Sequence, residues 1–255
     1  MRKAISFMNS KGGTGKTTVC GTIAHHLSKL NKVLLVDADP QGNVSGWFVR
    51  ENVKHELSDV LSGKANLKET MVEVRDGLFI VPTVPMSGDL TEFAEVKLYR
   101  ERFAFADLKD AATNLGFDYL LFDTSPGTNL LERSVMAVCD EIAMPFELEF
   151  FSVDGIERFL HEIKRVQQEN RVRVIHEKVI ANKVNNSFRR HKVYRDIVEN
   201  YRMDFYGIPQ SAAIAEAQTV GQTIFEYRPS DKSITAFQDI AEDLQKTPAP
   251  AESVL

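Results

Sequence analysis

The sequence predicts an α/β fold: a mostly parallel, twisted sheet with helices on both faces. Three observations carry that expectation. Short apolar runs alternate with segments of helical period from end to end. The first run leads through a glycine-rich turn, Lys11-Gly12-Gly13-Thr14-Gly15-Lys16-Thr17-Thr18, straight into a helix. Two later runs finish in aspartates, at the carboxyl ends of strands where such sheets form a ligand-binding rim. The 255 residues contain no internal repeat and no linker rich in Gly, Pro or Ser. They read as a single domain over 1–246, with 247–255 a frayed tail that opens Thr247-Pro248-Ala249-Pro250.

Taken in order, residues 4–8 are an apolar strand. Val19, Ile23, Leu27 and Leu30 recur at helical spacing, so 16–30 is an amphipathic helix with Asn31 as a left-handed cap. Residues 33–36 form a fully apolar strand. A short helix over 56–62 stops at Gly63, and a strand over 78–81 closes at Pro82. Residues 99–115 read as a helix stopped by Gly116, followed by a strand over 117–123. A helix over 130–138, a strand over 141–145 and an apolar helical stripe from Val153 to Val166 come next. The stretch 172–181 contains a strand leading to Asn182, and 189–201 is a basic, partly amphipathic helix. Ile234, Phe237, Ile240, Ala241 and Leu244 mark the last helix.

The glycine-rich turn has the order that a phosphate cradle requires. Glycines let the backbone bend tightly and bring consecutive N–H groups to phosphate oxygens without a Cβ in the way. The helix that follows adds its free N–H groups and the positive end of its dipole. Lys16 is placed to reach β- and γ-phosphates and the Thr17 hydroxyl to ligate Mg²⁺. The strand ending Asp37-Ala38-Asp39-Pro40-Gln41-Gly42-Asn43 presents two acids toward Mg²⁺ and an attacking water, although two acids with Pro and Gly also suit a plain turn. The apolar strand ending in Asp123 has the form of a Walker B strand, whose acid holds Mg²⁺ through water.

Composition narrows the partners. A net charge of −5 argues against coating nucleic acid by overall charge and leaves room for a local basic patch. The densest such patch is Arg189, Arg190, Lys192 and Arg195. Cys20 and Cys139 form no Cys-x-x-Cys pair and read as small core residues of a cytoplasmic chain. The start, Met-Arg-Lys and then strand-like sequence, holds no apolar run suited to a signal or a span, so no membrane partner is expected. His25 and His26 are adjacent on a helix, point in different directions and suggest no metal site. Trp47 follows the Asp39 loop and reads as a packing residue or a reporter of movement there.

The turn departs from the standard P-loop at its start, where Asn9, Ser10 and Lys11 stand. Lys11 is a second lysine five residues before Lys16, and this resembles the deviant Walker A motif of the ParA/MinD family of P-loop NTPases. Val36-Asp37-Ala38-Asp39-Pro40-Gln41-Gly42-Asn43 and Phe122-Asp123-Thr124-Ser125-Pro126 match the same family. Ile208-Pro209, Glu216-Ala217, Gly221 and Tyr227 extend the likeness, so the chain resembles ParA/Soj-type partition ATPases over nearly its whole length. The resemblance implies an ATPase that uses ATP and Mg²⁺, slow on its own and stimulated by a separate ParB-like adaptor. It implies a homodimer when ATP-bound, with Lys11 crossing to the partner's phosphates. It assigns Asp39 to the hydrolytic water, Asp37 and Asp123 to the Mg²⁺ shell and Asn182 to adenine. It further implies non-specific DNA binding by the ATP dimer, nucleoid association, and a short member without an N-terminal operator-binding domain. One departure stands out: between Ile208-Pro209 and Glu216-Ala217, where relatives commonly carry arginines, this chain has Gln210-Ser211-Ala212-Ala213-Ile214-Ala215.

Three other functions fit less well. A MinD-like membrane positioner should end in a basic amphipathic helix, whereas Asp239, Glu242 and Asp243 flank this stripe before Pro248 and Pro250. A reductase like the nitrogenase iron protein needs two cysteines in a context that Cys20 and Cys139 lack. A metabolic enzyme that activates a carboxylate with ATP shares the P-loop but not the Asp39-Pro40-Gln41-Gly42-Asn43 match.

Overall fold

In a computed structural model, which describes residues 1–148, 150–171, 176–185 and 204–246, the strands form a single sheet. They are β1 (Lys3–Phe7), β2 (Val33–Ala38), β3 (Val72–Arg75), β4 (Leu78–Val81), β5 (Tyr119–Thr124), β6 (Glu141–Glu147), β7 (His176–Val184) and β8 (Asp204–Pro209). Their order is β3-β4-β2-β5-β1-β6-β7-β8, and every pairing is parallel except that of β3 with β4.

Side-chain alternation along these strands builds two cores. In β5, Leu120 and Phe122 pack with Phe105 and Leu108 of α6 (Ala104–Asn114), Leu131 and Val135 of α7 (Leu130–Met136) and Ile163 of α8 (Phe150–Asn170). Their neighbours Tyr119 and Leu121 join Val19 and Ile23 of α1 (Lys16–Ser28) and Phe237 and Ile240 of α11 (Ile234–Gln245). A sheet buried on both faces explains why its central strands read as unbroken apolar runs. Between these elements lie α2 (Asn43–Phe48), α3 (Leu57–Leu61), α4 (Leu67–Thr70), α5 (Asp89–Glu92), α9 (Ala212–Thr219) and α10 (Ile224–Tyr227).

Several boundaries differ from expectation for identifiable reasons. Helix α1 stops at Ser28, and Leu30 is exposed rather than part of the stripe. Asn31 is not left-handed; its side-chain amide donates to Leu27 O at 2.8 Å and caps the helix that way. The expected helix over 99–115 begins only at Ala104, because a π-helical turn over Phe93–Lys97 leaves Tyr99 and Phe103 exposed. Strand β3 escaped the sequence reading although Asp76-Gly77 is a hairpin signal. Strand β8 escaped it because Gly207 and Pro209 weaken a strand signal that pairing with β7 overrides. The expected helix over 189–201, residues 172–175 of the expected strand and the tail 247–255 lie outside the described residues.

Strand β1 lies between β5 and β6, so the chain leaves it toward one half of the sheet and later fills the other. The crevice at such a reversal, beyond the carboxyl ends of the strands, is where open α/β sheets bind ligands. The glycine-rich turn occupies that place.

Candidate functional site

The turn between β1 and α1 ends at Gly15, whose φ of +92° disfavours any side chain. A Cβ there would also stand 2.1 Å from Asn182 Nδ2, so the turn requires glycine twice over. Asn182, at the end of β7, donates to Thr14 O at 3.0 Å and ties the turn to the far half of the sheet. A trough of about 860 Å³ opens here, lined by Gly13, Gly15, Lys16, Thr17 and Thr18 from the turn and α1. Asp39, Gln41, Asn43 and Trp47 line it from the β2 side, and Asn182, Lys183, residues 209–212, Ile214, Ala215 and Gln218 from the C-terminal part.

The Lys16 side chain is buried within this trough, and burial holds its ammonium below the usual lysine range. The charges of Asp123, Asp39 and Glu132 oppose that shift. Asp37 and Asp123 stand opposite each other in the β2–β5 register, both fully buried beneath the trough. Burial raises Asp37 to about 7, despite its hydrogen bonds from Ser45 N at 2.8 Å and Ser45 Oγ at 2.5 Å. The neighbouring Asp39 charge adds to the rise, and the Asp39 N–H, 3.3 Å from Asp37 Oδ1, counters it. Burial also pushes Asp123 well above the usual carboxylate range, helped by repulsion from Asp37 and resisted by the Thr17 hydroxyl. Neither Asp123 oxygen has a well-formed hydrogen bond. Asp39 accepts from Gln41 N at 2.9 Å, which makes the Asp39-Pro40-Gln41 turn, and its residue remains at the trough wall.

Two buried, underused carboxylate oxygens beside a threonine hydroxyl and a lysine suit a hard divalent cation carried in on phosphate. Among the described residues no three His, Cys, Asp or Glu side chains converge as a complete ligand set. Mg²⁺ usually keeps several waters and takes one or two carboxylates plus substrate phosphates. Asp37, already committed to Ser45, is the less available of the two acids.

The remaining predicted residues fall into three groups. Gly12 and Thr14 belong to the turn but do not line the trough. Lys11 does not line it either; with Asn9, Ser10, Thr128, Arg158 and Glu162 it borders a separate cavity of about 580 Å³. Arg189, Arg190, Lys192 and Arg195 lie outside the described residues. Cys20 and Cys139 are free, buried thiols. Sequence reasoning missed Ser45, Lys183, Gln218 and Glu132. Asn129-Leu130-Leu131-Glu132 is a capping-box pattern, in which Glu132 accepts from Asn129 N at 3.0 Å and also receives the Ser125 hydroxyl. Ser45 and Gln218 carried no local signal, because their partners Asp37 and Thr18 are brought to them only by the fold.

Residues 2–175 match the family described as AAA domain. Over 244 residues the chain is 34% identical to the uncharacterized protein BBD21 of Borreliella burgdorferi, covering 95% of this chain and 99% of that one. It is 28% identical to the chromosome-partitioning ATPase Soj of Thermus thermophilus, with 95% of each chain covered. A crystal structure of a protein described as a plasmid partition protein from Borrelia burgdorferi B31, bound to AMPPNP, superposes with a TM-score of 0.82. That likeness is at 22% identity over 96% of this chain and 98% of the other.

Proposed function

The chain belongs to the AAA domain family, in its ParA/MinD branch of P-loop ATPases, and we propose that it is an ATP-dependent dimerisation switch that partitions DNA. The observation that carries this reading is the buried Lys16 ammonium, set within the field of Asp123, Asp39 and Glu132 at a glycine-lined trough. A desolvated cation there is ready to neutralise an entering polyphosphate.

In this reading the N–H groups of 13–18 and the first turn of α1 hold the phosphates, and Lys16 reaches the β- and γ-oxygens. Thr17 and Asp123, with Asp37 behind them, would hold Mg²⁺. When bound, Mg²⁺ neutralises charge on the β- and γ-phosphoryl oxygens. Asp39, at the trough wall, orients the water that attacks the γ-phosphorus, and Asn182 contacts adenine. Phosphoryl transfer leaves little covalent work for a protein, so positioning and charge account for most of the acceleration.

Lys11 points the reading toward two chains. Lys11 of the partner subunit supplies a further cation to the phosphates, which makes ATP a dimerising ligand and hydrolysis the step that releases the dimer. The ATP dimer binds DNA without sequence preference and so becomes nucleoid-associated in the cytoplasm, with Arg189, Arg190, Lys192 and Arg195 on DNA phosphates. A ParB-like adaptor stimulates slow turnover. The test is light scattering with and without Mg-ATP on three forms of the chain. The unaltered chain should dimerise with ATP, Lys16→Ala should lose nucleotide binding, and Asp39→Ala should retain ATP and stay dimeric. Dimerisation independent of nucleotide would defeat the scheme.

A further inference from the structure

Trp47 belongs neither to the phosphate cradle nor to the carboxylates, yet it lines the trough together with Asp39, Gln41 and Asn43. It sits in α2, which follows directly on the Asp39 loop, so the loop and the indole share one short rigid segment. The residue is 7% exposed and its ring lies close over α1: a Cβ on Gly21 would come within 2.5 Å of it. The indole N–H donates to Gln222 O at 3.0 Å, in the turn that follows α9.

That turn is gripped from other sides as well. Arg75 of β3 donates to Gly221 O and to Glu226 Oε1, each at 2.8 Å. Arg50, just beyond α2, packs against Gly221, where any Cβ would collide with its guanidinium. At the end of α9, Gln218 Nε2 donates to Thr18 Oγ1 at 3.1 Å, one residue beyond Thr17. The end of α9 therefore touches the phosphate helix, and the turn after it touches the segment that carries the Asp39 loop and the sheet edge. Ala212, Ile214, Ala215 and Gln218 of α9 line the trough.

We propose that Trp47 is a positioning residue that couples the Asp39 loop to α9, so that the trough closes differently when a γ-phosphate stands before Asp39. The physical reason is the absence of slack. The loop meets the terminal phosphate, whereas α9 lies along the trough beside Asn182. A bulky indole wedged on Gly21 transmits displacement of α2, and one N–H to a carbonyl fixes the distance at which α9 follows. Packing alone would hold the ring; the hydrogen bond sets the register between the two walls. This inference rests on the reading of the trough as a nucleotide site.

Trp47 is the chain's only tryptophan, so its emission, excited at the red edge where the six tyrosines absorb little, reports on this contact. The experiment titrates the unaltered chain with Mg-AMPPNP and Mg-ADP, following emission, and measures both affinities by calorimetry in the unaltered chain, Trp47→Phe and Lys16→Ala. Expected is a larger emission change with Mg-AMPPNP than with Mg-ADP. Trp47→Phe keeps an aromatic ring and deletes the donor. It should weaken Mg-AMPPNP by about fivefold, the effect of one neutral hydrogen bond, and leave Mg-ADP within about twofold. A general loss of structure would weaken both alike. Arg75→Met, which loosens the same turn and keeps the fluorophore, should shrink the emission difference between the two nucleotides. Equal weakening of both nucleotides, no weakening, or identical emission changes would overturn the proposal. Failure of the unaltered chain to bind either nucleotide, or Lys16→Ala binding as tightly, would instead overturn the nucleotide reading and take this inference with it.

Discussion

Asp37 links the site's chemistry to its protonation. Burial raises its carboxyl to about 7, although Ser45 gives it two hydrogen bonds. A cation bound beside it must meet the anion, so binding has to expel the proton as pH falls below that value. With Asp123 raised by burial as well, the apparent Mg²⁺ affinity of the ADP-bound protein should therefore fall as pH drops through 7, by about tenfold per pH unit for each proton expelled. Titrations between pH 6 and 8 check this, and a flat profile would mean that Asp37 has no part in holding the cation. The stability sign is the reverse of an ordinary salt-bridged acid. The folded pKa lies above the unfolded one, so the contribution is complete below the unfolded value near 3.8 and is lost as pH rises through 7. His25 and His26 behave oppositely, both held below the usual imidazole range chiefly by burial, with Glu226 partly offsetting this at His25. The unfolded chain takes up protons near 6.5 that the folded chain refuses, so their contribution is lost as pH falls below that value. Thermal unfolding at pH 5.5 and 7.5 should show a larger drop in the unaltered chain than in His25→Asn/His26→Asn.

Among the elements, the amino-terminal ends of β1, β6, β7 and β8 carry an ionic network opposite the nucleotide trough, buried at Lys3, Glu141 and Lys178 and open to solvent at Asp204. Lys3 Nζ donates to Glu141 Oε1 at 2.9 Å with both residues buried, and Lys178 reaches Asp204 at 3.1 Å and also Asp243. Burial alone would lower Lys178, but its hydrogen bond to Asp243 and the Glu141 charge outweigh that and raise it. Glu141 Oε2 lacks a hydrogen bond, so Lys3 is its main support. Lys3→Met should cost about 3 kcal/mol in urea unfolding, because it leaves a carboxylate buried beside an apolar group. Lys3→Met/Glu141→Leu should recover most of that loss, since removing both charges removes the desolvation penalty. Failure to recover would show that the pair stabilises the strands in its own right.

For the whole molecule, the proposed switch makes two demands that one chain cannot meet. Under that proposal its second cation would come from another copy, and its DNA-binding surface would be shared between copies. Binding of mixed-sequence duplex DNA should therefore require Mg-ATP or Mg-AMPPNP and fall steeply with salt, as phosphate contacts release counterions. Arg189→Ala/Arg190→Ala should weaken it and flatten the slope of log affinity against log salt by about one to two. Unchanged binding by filter retention or anisotropy would move the DNA surface elsewhere. No helix of the described residues is long and apolar enough to cross a membrane.

The phosphate turn, the acids at the carboxyl ends of β2 and β5, the parallel sheet and its main helices were all legible in the sequence, because each depends on residues adjacent in the chain. Gly15 next to Lys16 needs a local bend, and an unbroken apolar run or helical apolar spacing marks an element wherever it packs. Only the tertiary structure decided what those residues meet. Ser45 on Asp37, Asn182 on Thr14, Gln218 on Thr18 and Trp47 on Gln222 join positions far apart in sequence or across a turn. Strand β8 formed despite Gly207 and Pro209 because β7 offered it a ladder. Local patterns determine which chemistry the chain carries. Long-range packing sets the burial and partners of each group, and through them its charge and its position.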